Sequence, residues 1–188
     1  MWPRGSLVHR RMPVADRLIV LNGMAGAGKT TLARPLAREL GVPLVSKDAI
    51  KEALGDAVDA SLPTRAVGAL ATDALWRMAG MLEGTVLVES VWLAGRDEHW
   101  FRRGCEAAGS PMGLEVWCEA AHDVMRDRYL TRPRHGVHGD GGRIAEWDAA
   151  SRVARPMTGF PVIRVDTGGV VDVPVLAATI SRHDFGSI

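Results

Sequence analysis

Short apolar runs recur along the chain, and each gives way to a stretch with apolar positions three and four apart. The first run, Arg17–Asn22 (RLIVLN), is aliphatic and β-branched and ends at glycines, which predicts a strand buried on both faces. KTTLARPLAREL follows at helical spacing and closes at Gly41, with Pro35 expected to bend the helix. Val42–Ser46 (VPLVS) predicts a second strand, DAIKEAL a helix with Asp48 near its start, and Pro63 opens a helical stretch to about Glu83. Thr85–Glu89 (TVLVE), Leu114–Glu119 (LEVWCE) and Pro161–Asp166 (PVIRVD) predict the third, fourth and fifth strands. Helices are expected over Arg96–Ala108, Ala120–Leu130, Arg143–Ser151 and Val173–His183. Thr131–Gly142 (TRPRHGVHGDGG) has no periodicity. Strands that alternate with helices predict an α/β fold, a parallel sheet with helices on both faces.

Composition narrows the function. The chain has 188 residues, one domain's length. Lys and Arg total 23 against 22 Asp and Glu, a net charge of +1, which excludes a general nucleic-acid coat or a polybasic membrane binder. No apolar run approaches the roughly 18 residues a membrane-spanning helix needs. The start carries charge but no apolar core of a signal peptide, so 1–16 is expected to be a disordered leader and 17–188 one domain. Cys105 and Cys118 are the only cysteines, which argues for reduced thiols in a cytoplasm and against a cysteine-ligated zinc site. Three lysines stand against twenty arginines, and all three (Lys29, Lys47, Lys51) fall between residues 29 and 51.

The strongest signal lies between the first strand and the first helix. Gly23-Met24-Ala25-Gly26-Ala27-Gly28-Lys29-Thr30 fits G-x-x-x-x-G-K-[ST], with a strand before it and a helix after it. Glycines allow backbone N–H groups to turn inward around phosphates, and the helix N-terminus adds partial positive charge. Lys29 reaches the β- and γ-phosphates, and the Thr30 hydroxyl suits Mg2+. Thr31 follows in the first turn. Nucleotide binding is expected, with ATP or GTP as donor.

GMAGAGKTTLA, PLVSKDAIKEAL, VLVES, RDRYLTRPRHGVH and VIRVDTGG together resemble small P-loop kinases with a nucleoside-monophosphate-kinase-like fold. The match is to the zeta-toxin-like, AAA_33-type and chloramphenicol-phosphotransferase-like group. It extends over about residues 17–183. The resemblance implies a five-stranded sheet in the order 2-3-1-4-5, a mobile lid around 126–145, and phosphoryl transfer to a hydroxyl.

Asp48, at the carboxyl edge of the sheet, is the expected catalytic base that orients the acceptor hydroxyl and takes its proton; the competing reading is an acid that complements a helix dipole. Lys47 and Lys51 flank it as solvated charges or as anchors for an anionic acceptor. Glu89 ends the third strand, where an acid suits a Mg2+ or water contact beside Thr30, or else pairs with an arginine. Trp92 is expected either to stack on the acceptor or to pack in the core, and Arg96 to bind an acidic group on it. Trp76 and Trp100 read as core or pocket wall. Arg126, Arg128, Arg132 and Arg134 form the expected lid cluster, in which Arg128 and Arg132, one helical turn apart, stabilise the transferred phosphate. Arg126 is assigned to the nucleotide and Arg134 to the acceptor. His135 and His138 read as a lid turn or acceptor contact, because no third metal ligand lies at useful spacing. In the resembled kinases the turn Asp166-Thr167-Gly168-Gly169 edges the purine. The acceptor is expected to be a small hydroxyl compound such as an antibiotic, nucleoside or sugar. Alternatives are a zeta-toxin-like nucleotide-sugar kinase, a polynucleotide-end kinase, which the near-zero charge disfavours, and a non-catalytic nucleotide-binding module.

Overall fold

The computed structural model describes residues 15–58, 60–133, 135–139, 143–157 and 159–188. Five strands alternate with seven helices: β1 (Ala15–Asn22), α1 (Lys29–Leu40), β2 (Leu44–Ser46), α2 (Lys47–Asp56), α3 (Thr64–Gly80), β3 (Gly84–Glu89), α4 (Glu98–Ala107), β4 (Met112–Glu119), α5 (His122–Thr131), α6 (Ile144–Val153), β5 (Val162–Asp166) and α7 (Val173–Arg182). A 3-10 turn, Gly136–His138, lies between α5 and α6. The sheet is parallel with the order β2-β3-β1-β4-β5, as the resemblance implied.

β1 runs down the centre, so both its faces are buried. Leu18 and Val20 join Trp76, Phe101 and Val86 on the side covered by α3 and α4. Ile19 and Leu21 join Leu32, Leu36 and Ile180 on the side covered by α1 and α7. Leu18, Leu36 and Leu114 are fully buried, each worth about 1.5–3 kcal/mol relative to an exposed side chain. This double burial explains why the strands read as continuous apolar runs.

Several boundaries moved for identifiable reasons. β1 starts at Ala15, because its ladder on β3 continues down to an Ala15–Gly84 pair. β2 starts at Leu44 and not Val42, since the Val42 N–H donates to the Ala37 carbonyl (3.0 Å) and is used to close α1. α4 starts at Glu98 and not Arg96, because the Asp97 carboxylate accepts from the Leu93 N–H (2.9 Å) in the preceding loop. α1 runs through Pro35 as one helix. The expected leader falls mostly on 1–14, which lie outside the described residues.

All five strands end on polar residues: Asn22, Ser46, Glu89, Glu119 and Asp166. This edge is where open parallel sheets bind ligands. Two of the tryptophans assigned by sequence lie elsewhere. Trp92 packs into an aromatic cluster, with ring centroids 5.2 Å from Trp76 and 5.4 Å from Phe101, and only 3% of it is exposed. Its ring fills the core beside α3 and α4, which corrects the acceptor-stacking expectation. Trp100 is 60% exposed and is neither core nor pocket wall. The inward positions of α4 are taken by Phe101, Gly104 and Cys105.

Glu115, on β4, is fully buried, and burial pushes its carboxyl up to about 7 despite hydrogen bonds from Asn22 Nδ2 (2.8 Å) and the Met157 N–H (3.0 Å). A raised carboxyl favours the folded state while it is protonated. That contribution is complete below the ordinary value of 4.5 and is lost as pH rises to about 7. The loss is of the order of 3 kcal/mol at most. The thermal midpoint is therefore expected to fall between pH 5 and pH 7.5. Scanning calorimetry of Glu115→Gln should show that pH slope flattened, and an unchanged slope would assign it to other groups.

Candidate active site

The loop from Gly23 to Gly28 leaves β1 at the polar edge and feeds α1. Gly28 caps the helix at φ 76°, and no acid occupies the first turn, so the N-terminal partial charge is left for an anion. Three struts from distant parts of the chain set the loop's shape. The Thr167 hydroxyl, 6% exposed, lies 2.9 Å from the Ala27 carbonyl and 3.0 Å from the Glu119 carbonyl. The indole Nε1 of Trp147 donates to the Ala25 carbonyl (3.0 Å). Gly26, at φ 89°, lies against the Met125 carbonyl, where any Cβ would overlap backbone. Sequence reading placed Thr167 at the purine edge; the structure adds a buried hydroxyl bonded to the phosphate loop.

Lys29 is buried, and its Nζ donates to the carbonyls of Gly23 (2.9 Å) and Met24 (3.0 Å). Thr30 Oγ1 donates to Glu89 Oε1 (3.3 Å), while Ser46 Oγ donates to Glu89 Oε2 (2.6 Å). Glu89 is 2% exposed. The acid at the end of β3 therefore joins the end of β2 to the start of α1. Ser46 also caps α2 by accepting from the Ala49 N–H (3.4 Å). This carboxylate and hydroxyl pair is the donor set Mg2+ uses, one or two hard oxygens with the rest left to phosphates and water. Among the described residues no cluster of three or more His, Cys, Asp or Glu side chains offers another metal site.

A cavity of about 500 Å3 opens over the loop. It is lined by Ala25, Gly26, Gly28, Lys29, Thr30 and Thr31 of the loop and the start of α1, by Asp48 of α2 and Val91 after β3, and by Arg128, Tyr129, Thr131 and Arg132 of α5 and its end. The structure thus brings Asp48, Lys29, Arg128 and Arg132 to one space. Arg128 Nη2 also donates to the Thr167 carbonyl (3.1 Å), and the Arg132 N–H bonds back to the Arg128 carbonyl (3.2 Å), so the helical spacing that pairs the two arginines persists. Asp48 sits in the first turn of α2, where its charge complements the helix dipole.

Among the described residues, Arg126, Arg96 and Lys47 are not among those that line this cavity. Arg126 is turned to Asp148 on α6 (3.0 Å). Arg96 is bonded to its neighbour Asp97 (2.6 Å). Lys47 lies close enough to both that their charges act on it, and burial lowers its ammonium below the ordinary lysine range. Arg134 lies outside the described residues. Both cysteines are buried free thiols pushed up to about 12 by burial, which leaves them inert as nucleophiles.

Sequence reasoning missed Ser46, Tyr129 and Trp147. A Ser before a helix acid signals a cap and says nothing about a carboxylate 43 positions on. Tyr129 stacks on Trp147 (centroids 5.4 Å, planes 19° apart), joining α5, α6 and the phosphate loop.

The AAA_33 family, described as an AAA domain, matches residues 18–157. A crystal structure of a candidate kinase from Chloroflexus aurantiacus j-10-fl superposes with a TM-score of 0.77 at 29% identity, covering 92% of this chain and 99% of that one. An uncharacterized protein of Mycobacterium tuberculosis is 31% identical over 159 residues, 73% of this chain. This chain spans only 31% of that protein's length. A shikimate kinase of Bradyrhizobium diazoefficiens is 30% identical over 117 residues, 62% of this chain and 55% of that protein.

Proposed function

This chain belongs to the AAA_33 family, and on that premise we propose that it is a kinase that transfers the γ-phosphate of ATP or GTP to a hydroxyl of a small molecule. The observation that carries this reading is that one cavity of about 500 Å3 is lined together by the phosphate loop, Asp48, Arg128 and Arg132. A nucleotide-binding module without catalysis has no need of a carboxylate and two arginines in the same cavity as the loop.

The roles follow from the chemistry of phosphoryl transfer, which is mostly positioning and charge stabilisation. Backbone N–H groups of 25–31 and the start of α1 hold the β- and γ-phosphates. Lys29 exchanges its two carbonyl partners for phosphate oxygens. Thr30 and Glu89 would hold Mg2+, which neutralises charge on the phosphates when bound. Asp48 orients the acceptor hydroxyl and accepts its proton as the oxygen attacks. Arg128 and Arg132 face the charge that develops on the transferred group and, as planar forks, hold its oxygens bidentately. The residues around 126–145 act as the lid that excludes water. Arg96 and Arg134 remain proposed contacts for an acidic group on the acceptor, and the Thr167 turn for the base.

The acceptor class includes antibiotics, nucleosides and sugars. The two buried free thiols support a reducing, cytoplasmic setting. No described helix is long and apolar enough to cross a membrane.

The test has two stages. ATP or GTP with Mg2+ is expected to raise the thermal midpoint, and EDTA is expected to remove most of that shift. Mass spectrometry of incubations with a panel of hydroxyl compounds, including nucleotide sugars and 5′-hydroxyl oligonucleotides, should then show a gain of one phosphate on one class. ATP turnover that no hydroxyl compound accelerates would sink the kinase reading.

A further inference from the structure

The 3-10 turn after α5 is bound down onto α2. His138 is 5% exposed, and its Nε2 lies 2.9 Å from Glu52 Oε1. His135 Nδ1 accepts from the Val137 N–H (3.2 Å), so its proton sits on Nε2, which donates to Asp56 Oδ1 (2.8 Å). Gly55 lies between the two carboxylates. A Cβ there would sit 3.0 Å from the Val137 side chain, so α2 offers a notch that the turn fills. Glu52 and Asp56 are one and two turns beyond Asp48 on the same helix, and therefore share its stripe. Arg132, which lines the cavity, lies three residues before His135.

We propose that Glu52 and His138, with Asp56 and His135 beside them, latch the segment that carries Arg132 onto the helix that carries Asp48. The two hydrogen bonds hold the proposed base and the phosphate-facing arginine at one separation across the cavity. Glu52 and His138 are positioning residues; neither lines the cavity. This rests on the kinase reading above.

Two features distinguish a latch from a surface contact. The pairs join elements separated by 79 and 86 positions in sequence, and both fall on the helix stripe that reaches the cavity. His138 is nearly fully buried, so losing its carboxylate partner removes a hydrogen bond from a place that water reaches poorly.

The experiment compares Glu52→Ala, Glu52→Gln and His138→Ala in the full chain. Glu52 is half-exposed, so loss of folding is not expected, and thermal midpoints check this. Amide hydrogen exchange at Val137–Gly139, read with nucleotide bound and no acceptor, is expected to quicken at least about fivefold in both alanine variants. Glu52→Gln still presents an acceptor to the imidazole N–H and should stay near wild type. With the acceptor found above, kcat/KM for the acceptor should fall about tenfold in the alanine variants while the nucleotide Kd moves less than about twofold. The double variant should be no worse than the poorer single one. Unchanged exchange in Glu52→Ala overturns the latch, as does equal loss toward nucleotide and acceptor, or additive effects of the two alanines. Failure of the kinase reading would appear in the wild-type chain as the absence of any phosphorylated acceptor. Because the exchange arm needs no acceptor, it still decides the latch.

Discussion

Lys29→Ala is expected to reduce phosphoryl transfer on the order of a hundred- to thousandfold in kcat. The buried ammonium reaches the carbonyls of Gly23 and Met24, so it already lies over the loop, within a short swing of phosphates held by the same loop. Its removal takes a full charge from the place where negative charge collects, in a site partly shielded from water. The alanine also leaves two buried carbonyls without that donor, so a modest drop in the thermal midpoint should accompany the rate loss. The two effects separate if midpoints without nucleotide are compared first. Lys29→Arg is not expected to rescue, because a planar fork does not fit where a compact ammonium spans two carbonyls. Near-normal turnover in Lys29→Ala would refute the central assignment.

Asp48→Asn tests the carboxylate that lines the same cavity. Asparagine keeps the shape and can still orient a hydroxyl, but it cannot take the proton. The expected loss is about a hundred- to ten-thousandfold in kcat, with nucleotide binding unchanged. The pattern matters as much as the size. A group that only complements the dipole of α2 would alter stability by under about 1 kcal/mol and leave kcat almost intact. Transfer within a few-fold of wild type would return Asp48 to that lesser role.

Much of this site is legible in the sequence because it is local. The phosphate loop, Lys29 and Thr30 lie within eight consecutive residues, and the flanking strand and helix follow from periodicity. Asp48 and Glu89 could be placed near the loop because one lies two residues past a strand and the other ends one, and parallel sheets gather strand ends at one edge. One helical turn of spacing pairs Arg128 and Arg132, and both line the cavity. What was not legible depends on which face of an element turns inward. Trp92 follows the same strand as Glu89, yet its ring enters the aromatic cluster and leaves Val91 at the cavity. Arg126 belongs to the same run as Arg128, but two residues along a helix swing it by about 200°, toward Asp148. The clasp of Ser46 on Glu89 and the latch of His138 on Glu52 join positions 43 and 86 residues apart. A single sequence carries no spacing rule for such pairs.

The buried Thr167 hydroxyl has a consequence for the order in which the protein is made. Its bond to Ala27 spans 140 residues, from the turn after the last strand back to the nucleotide loop. A nascent chain that has left the ribosome as far as β4 already holds every residue of the phosphate motif, but lacks the strut that fixes the loop. Loop-closure entropy delays contacts of such long range. On the kinase reading, competence to bind nucleotide is therefore expected late in synthesis, when β5 docks beside β4. Chains truncated before Val162 would carry the signature of a nucleotide enzyme without its cradle.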